Sequence, residues 1–378
     1  MTQATLFTRE PVVNRKRAIT ANRLIAHGAD VAAVVESLNA LQDVWPSHHP
    51  VFVSLERLVP TPDLMAWQAP PNAMVEIPAQ AIAHPRTLEL LGQLREAGIH
   101  TCLAWHTPQT VVPPESEWRF VISDARKNPA PANPPGVPLA WGLADLAAFQ
   151  TATQNGYEGA SGWFFLKGHP PSKGLSPAHG QIVQLLNLVR NNADIVQIER
   201  LLKQDVAISY KLLRYINSAG FGLMVEIQSF RHAISILGYD ALNKWLSLLL
   251  VTASRDPAAP ALMQTAITRG RLMEILGASW LDSSHHDNLF ITGAFSLLPL
   301  LTGTGMAEII EAMTLPAGVV DALLYDTGEY APLLRLAKLT EGFDGAALAR
   351  QVEELQLRPE QVNAALLSAL GFADNLTA

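Results

Sequence analysis

The distribution of proline limits what each part of this 378-residue chain can form. Nineteen of its 26 prolines precede Gly174, and seven follow it. Because proline lacks a backbone N–H and breaks helix interiors, the first part is predicted to contain strands and short helices joined by many loops. The second part is predicted to be mostly helical. Residues 173–179, rich in Pro, Gly and Ser, are predicted to be a linker between domains at 1–172 and 180–378.

Short segments rich in Val, Ile and Phe, bounded by Pro or Gly, predict strands in the first part. They alternate with helical candidates at Val31–Leu41, Pro85–Ala97 and Leu139–Asn155. This alternation predicts a mainly parallel sheet or barrel. The second part carries a series of amphipathic segments with short connections, which predicts an all-α bundle. The predicted strands are Thr5–Val12, Val51–Leu55, Ala73–Ile77, Thr101–Trp105, Arg119–Ile122 and Trp163–Leu166.

Composition excludes several classes of protein. Hydrophobic residues make up 49% of the chain and charged residues 16%, which is typical of a globular protein. The net charge is −7, and most of the acidity follows Gly174, so nonspecific nucleic-acid binding is not expected. No apolar run reaches the roughly 18 residues that a membrane helix needs, and the N-terminus lacks a signal-peptide pattern. We therefore expect a cytoplasmic protein that does not enter a membrane.

The most detailed pattern lies between Asp205 and Gly238. Asp205 is a good N-cap residue, and an apolar stripe with helical spacing follows it. The sequence NSAG at 217–220 is predicted to end this helix. Ser229 is then predicted to cap a second helix, which Gly238 ends.

This pattern resembles the signature of the HDOD domain, in which an N-S-A-x-F-G stretch precedes an S-I-x-x-A-I-x-x-L-G helix. The resemblance spans more than thirty positions. HDOD domains resemble helical metal phosphohydrolase domains that have lost their metal ligands. The resemblance therefore implies a bacterial signalling protein that acts by contact with other proteins.

Beside an HDOD domain, the first part resembles a shortened EAL domain, the (β/α) barrel that hydrolyses cyclic di-GMP. REPV at 9–12 matches that family's opening strand, ANRLI at 21–25 its G-Y-E-A/L-L stretch, and GWFFLK at 162–167 its closing motif. About 172 residues is short for such a barrel. We therefore expect an eroded or incomplete barrel followed by the all-α HDOD domain.

The EAL resemblance also implies where two divalent cations would bind, and most of those positions have changed. Arg23 stands at the position of the Glu that names the motif, and Ser54 at that of a strand Asn. Glu76 is retained, whereas Ala104-Trp105 replace a pair of aspartates. One carboxylate cannot hold two cations, and Arg23 would repel them. We therefore predict no catalytic residue, no bound metal, no cofactor and no enzymatic activity.

A hypothesis follows for the altered positions. Arg23 replaces the charge of the metal and forms an ion pair with Glu76, since adjacent barrel strands would bring the two together. The alternative is that both side chains face solvent.

The function predicted is a non-catalytic signalling protein that acts by regulated protein–protein interaction. The alternative is a receptor that binds cyclic di-GMP without hydrolysis. For ligand binding the candidates are Arg23, Glu76 and Trp105, with Arg9 also near the expected barrel mouth. The candidate contacts for partner proteins are Phe221, Leu223 and Met224, although core packing of that loop is also open.

Two segments contain closely spaced histidines, a residue type that binds metals. His100, Cys102 and His106 could share one face of a strand by period-two spacing, which would suit a soft metal. A third functional hypothesis is therefore an enzyme that uses this face as its site. The alternative is an ordinary half-buried strand that binds no metal. The sequence HHD at 285–287 is interpreted as a polar loop before a helix capped by Asp287 or Asn288. A single cysteine excludes a multi-Cys site.

Overall fold

The computed structural model describes residues 5–112, 118–130, 132–167, 175–202, 230–252 and 259–377. The chain divides into two compact units. A barrel unit comprises Met1–Gly168 and Lys338–Gly371, and a helical unit comprises His169–Ala337 and Phe372–Ala378. This division differs from the predicted boundaries, because the segment Lys338–Gly371 belongs to the barrel unit.

Eight strands form a closed barrel in the sequence order of the chain. The first strand is antiparallel to both of its neighbours, and the remaining strand pairs are parallel. The carboxyl ends of strands two to eight therefore meet at one end of the barrel, which we call the mouth. The strands are β1 Leu6–Asn14, β2 Ile19–His27, β3 Val51–Ser54, β4 Ala73–Pro78, β5 His100–Ala104, β6 Phe120–Asp124, β7 Val137–Trp141 and β8 Gly159–Ser161.

Three of these strands were not predicted. Ile19–His27 carries Asn22 and Arg23 and lacks a continuous apolar run, and Gly159–Ser161 has only three residues. Val137–Trp141 lies partly within a segment predicted to be helical. The predicted strand Trp163–Leu166 is instead a 3₁₀ turn at Phe164–Leu166.

The described helices of this first stretch are few, and local signals explain where they begin. They are α1 Val31–Asn39, α2 Pro85–Glu96 and α3 Leu146–Gln154. Asp30 and Asp145 cap α1 and α3 by accepting backbone N–H groups. Eight strands close the barrel, and within the described residues three of the six connections between parallel strands contain an α-helix. In that part of the chain, the erosion expected from the short length therefore affects the helical layer.

The barrel has an apolar interior. One fully buried side chain from each of seven strands contributes to it, so these residues form a layer across the barrel. A second core packs the outer faces of the strands against the surrounding helices. The interior layer consists of Val12, Ala21, Phe52, Met74, Cys102, Ile122 and Leu139.

The helical unit is built from amphipathic and buried helices, as predicted. Within α6, Gly238 has φ 76°, which breaks the helix at the glycine predicted to end it. The described helices are α4 Pro177–Arg190, α5 Ile195–Leu202, α6 Phe230–Thr252, α7 Ala259–Gly277, α8 Ser283–Phe295, α9 Leu298–Thr302, α10 Met306–Glu311, α11 Ala317–Val320 and α12 Ala331–Leu339.

The last two helices are α13 Gly345–Glu354 and α14 Pro359–Thr377. Leu367 and Leu370 of α14 join the core between the barrel and its helices. Asn363, 2% exposed, accepts a hydrogen bond from the Phe7 N–H (3.1 Å) and donates one to the Thr5 carbonyl (2.8 Å). The Asn363 amide thereby provides hydrogen-bond partners for backbone groups at the edge of β1 that β8 does not reach.

No helix in the described ranges combines the length and the hydrophobicity that crossing a bilayer requires.

Candidate functional site

A polar layer lies above the apolar interior, one step closer to the mouth. Side chains in strands alternate between faces, so residues two positions from the interior layer point into the barrel again. On β2, β3 and β4 these are Arg23, Ser54 and Glu76, and on antiparallel β1 the equivalent residue is Glu10. Arg23, Glu10 and Glu76 are each 2% exposed. The barrel therefore holds three charged side chains in a nearly dry environment.

The Arg23 guanidinium is the centre of this layer. It donates from Nε and Nη2 to the two carboxylate oxygens of Glu76, with Nη2 2.7 Å from Oε2. Its Nη1 donates to Glu10 Oε2 at 2.7 Å. Nη2 also lies 3.3 Å from Ser54 Oγ, and Ser161 donates to Glu10 Oε2 at 3.1 Å. The hypothesis that Arg23 pairs with Glu76 is confirmed, and Glu10 is a second partner that the sequence did not identify.

Burial and ion pairing shift the pKa values of Glu10 and Arg23 in opposite directions. Burial raises the pKa of Glu10, although Arg23 beside it lowers that pKa. For Arg23, burial opposes the charge, but Glu76 and Glu10 outweigh it and the pKa is raised. Arg23 therefore keeps its charge, and burial makes Glu10 harder to ionise than an exposed glutamate.

Aromatic side chains close the layer on the mouth side. Trp105, directly after β5, has φ 61°, and the Arg23 guanidinium carbon lies 5.3 Å from the centroid of its ring. The ring of Trp141 packs edge-on against Trp105, with centroids 4.8 Å apart. A left-handed backbone in a bulky residue is strained, and such strain clusters at functional sites. Trp105 is thus brought beside Arg23, as a shared ligand site requires.

A second ion pair stands at the rim of the mouth. Arg126 donates from Nε and Nη2 to the two carboxylate oxygens of Asp124, both at 2.9 Å. This bonding lowers the pKa of Asp124. The Arg126 guanidinium carbon also lies 4.9 Å from the centroid of the Trp141 ring. The mouth therefore combines two tryptophans with two arginines, and Arg126 is the more exposed arginine.

Arg9 takes a different place from the one expected. It follows the opposite face of β1 from Glu10, where its guanidinium lies 4.8 Å from the ring centroid of Trp163 and 3.7 Å from Glu341. Its backbone N–H donates to the Thr340 carbonyl at 2.7 Å. Arg9 thus contacts the C-terminal part of the barrel unit on the outside of the barrel wall.

Other predicted sites have different outcomes. Phe221, Leu223 and Met224 lie outside the described residues. Cys102 is buried in the apolar interior layer, and burial raises the pKa of its thiol, so it is an unreactive core residue. His100, by contrast, is exposed at the start of β5.

The interpretation of HHD at 285–287 as a loop is wrong. Helix α8 already begins at Ser283, with Asp282 at its N-cap position. His285 Nδ1 lies 2.8 Å from the hydroxyl of Tyr330. The residues therefore form the first turns of a helix, and the predicted cap at Asp287 or Asn288 lies inside it.

The polar layer does not fit the divalent cations that the EAL resemblance implies. The carboxylates of Glu10 and Glu76 are both bonded to Arg23, and a cation placed between them would meet the positive guanidinium. Across the described ranges, no group of three or more His, Cys, Asp or Glu side chains is placed to hold a metal ion.

Four residues of this site were not identified from the sequence, namely Glu10, Arg126, Trp141 and Ser161. The pair Arg9-Glu10 within an otherwise apolar strand was a usable signal, since buried charges need partners. The others meet only through barrel closure.

A groove of about 880 Å³ lies elsewhere in the barrel unit, between the loop after β3 and helix α2. Its walls include Leu58, Pro60 and Leu90, and Val59 on its rim is 69% exposed. The polar side chains of its walls do not form a buried, converging set like that of the mouth. The mouth is therefore the stronger candidate site.

Comparison with known proteins identifies part of the chain. Residues 175–296 match the HDOD domain family. A Vibrio cholerae protein named cyclic di-GMP phosphodiesterase CdgJ is 29% identical over 230 residues, which cover 60% of this chain and 53% of that protein. The uncharacterized protein YuxH of Bacillus subtilis is 26% identical over 237 residues, covering 60% and 56%. The chain thus matches about half the length of these curated relatives.

Among solved structures, the EAL domain of Mycobacterium smegmatis DcpA is similar with a TM-score of 0.33 and 12% identity. That similarity covers 42% of this chain and 90% of the solved one.

The prediction that this chain is not an enzyme is wrong on these comparisons. A relative that matches 60% of the chain is named as a phosphodiesterase. The changed residues at Arg23 and Ser54 are therefore not sufficient grounds for predicting loss of activity.

Proposed function

We propose that this chain acts in cyclic di-GMP signalling, with the barrel mouth as the site that recognises the dinucleotide. The name of the Vibrio cholerae relative supports the ligand, because it designates cyclic di-GMP as that protein's substrate. The HDOD match supports a second functional part in the same chain. Together they favour a protein in which nucleotide recognition is linked to contact with partners.

The observation that carries this proposal is the combination of tryptophans and arginines at the mouth. Nucleobases stack on indole rings, and each stacked base contributes about 1–3 kcal/mol to binding. Trp105 and Trp141 supply two such rings within 4.8 Å of each other. Arg126, whose side chain is 55% exposed, is positioned to meet a phosphate from solvent.

Arg23 has a supporting part in this proposal. Its charge is held by Glu10 and Glu76, so it fixes the floor of the mouth and the position of the Trp105 ring. We propose it as a positioning residue, because its guanidinium already donates to two carboxylates. We also propose that Arg23, at the position where EAL phosphodiesterases have a metal-binding Glu, takes the place of the metal's charge.

Partner recognition is proposed for the HDOD-containing unit. The expected mode is regulated contact with other signalling proteins in the bacterial cytoplasm. Phe221, Leu223 and Met224 remain the predicted contact residues.

Calorimetric titration of the full chain with cyclic di-GMP tests the proposal. We expect saturable binding, and Trp105→Ala should weaken it by about tenfold or more through loss of one stacking surface. Trp280→Ala is the matched control, since Trp280 is a 41% exposed tryptophan of the helical unit. Hydrolysis is followed in the same samples, with and without Mg²⁺, because a relative is named a phosphodiesterase. Absence of binding by the unmodified chain would contradict the proposal.

A further inference from the structure

The loop between α12 and α13 lies at the barrel mouth. We call residues Thr340–Asp344 the strap. Thr340 is joined to β1 through the hydrogen bond from the Arg9 N–H, and Glu341 lies 3.7 Å from the Arg9 guanidinium. The side chains of Arg9 and Glu341 are 1% and 5% exposed, so this end of the strap is firmly anchored.

The other end of the strap is also fixed. A Cβ atom on Gly345, the next residue, would lie 2.4 Å from Cγ of His27, at the carboxyl end of β2. Asp344 accepts the N–H of Ala347 and caps α13. The chain is therefore held against the rim of the barrel on both sides of Phe343.

Phe343 is the one strap residue that projects an apolar side chain toward the aromatic residues of the mouth. Its ring centroid lies 6.4 Å from that of Trp141, at an interplanar angle of 79°. The side chain is nevertheless 51% exposed, which is unusual for phenylalanine in a well-packed position. It therefore covers part of Trp141 without being locked in place.

We propose that Phe343 is a built-in competitor for the base of the nucleotide. This inference rests on the proposed function of the mouth. In the free protein, Phe343 packs against Trp141, and binding of cyclic di-GMP moves Phe343 away while the Thr340 and Glu341 anchor stays. Binding of the nucleotide to the mouth is weaker because the Phe343–Trp141 contact must be broken, and the binding free energy is less favourable by the free energy of that contact.

The position of the strap in the chain gives this displacement a consequence. Helix α12 carries the chain from the helical unit directly into the strap, since the division between the units falls after Ala337. Nucleotide binding should therefore change the backbone dynamics of α12 as well as those of the strap.

Calorimetry on the full chain with cyclic di-GMP tests this inference. Phe343→Ala should tighten binding by about two- to tenfold, whereas Phe343→Trp, which keeps an aromatic ring, should stay close to the unmodified protein. Tyr325→Ala, at a 66% exposed aromatic residue of the helical unit, is the control for general effects of removing a surface ring.

Hydrogen exchange measured with and without the nucleotide provides a second readout. Binding should speed exchange in the strap and leave the Arg9 amide protected. Unchanged or weaker binding by Phe343→Ala would overturn the strap proposal while leaving the binding site intact. Absence of binding by the unmodified chain would overturn both proposals.

Discussion

At the scale of single residues, the central feature is a buried arginine held by two glutamates. Bringing three charges into a barrel costs solvation energy, which only close pairing offsets. The hydrogen bonds from Arg23 to Glu10 and Glu76 provide that pairing. The arrangement makes the polar layer rigid and gives the mouth a fixed floor, on which the strained Trp105 rests.

Removing the arginine alone should be much more harmful than removing the whole group. Arg23→Met leaves Glu10 and Glu76 buried without their cation, and we expect it to lower the free energy of unfolding by about 3–5 kcal/mol. The triple variant Arg23→Met, Glu10→Leu, Glu76→Leu should lose less, since it removes the unpaired charges as well. Denaturant unfolding followed by circular dichroism measures both. Equal losses in the two variants would contradict the ion-pair account.

At the scale of elements, the predictions from the sequence succeeded where a local pattern determines the structure. Strands with apolar runs, such as Val51–Ser54 and Ala73–Pro78, and the break at Gly238 follow from composition and glycine conformation. Ile19–His27 was missed because its buried polar residues hide the strand pattern. The Arg23–Glu76 pair was predictable from the EAL-like motifs that carry the two residues, although β3 lies between their strands, so the expected adjacency of the strands is wrong. Phe343 was not, because nothing local connects residue 343 to β7.

The edge of β1 offers a test of the contribution of α14. Asn363→Ala should destabilise the protein by about 1–3 kcal/mol for each backbone group it leaves without a partner, at Phe7 and Thr5. Asn187→Ala is a matched control, because Asn187 makes the same pair of bonds to Thr314 and Ala312 at an exposed site. Water can replace those bonds, so a small effect is expected. Unfolding free energies measured by denaturant titration compare the two. A loss no larger in Asn363→Ala than in the control would show that the edge contact is dispensable.

At the scale of the whole molecule, the chain does not run simply from one domain to the next. Residues His169–Ala337 of the helical unit interrupt the barrel unit, whose last part is Lys338–Gly371. The HDOD match ends at residue 296, well before that return. Composition could not have predicted that Lys338–Gly371 belongs to the barrel unit, because the C-terminal helices have the same amphipathic pattern as the helical unit. The return places the strap at the mouth, and the chain passes between the two units three times.

A crystal structure of the full chain with cyclic di-GMP is the most direct test of the claim that the mouth is the nucleotide site. We predict a guanine base stacked on Trp105 or Trp141, a phosphate near Arg126, and Phe343 displaced from Trp141. The Arg23 ion pairs with Glu10 and Glu76 should be unchanged. A dinucleotide bound in the helical unit, with the mouth as it is in the free protein, would contradict the account.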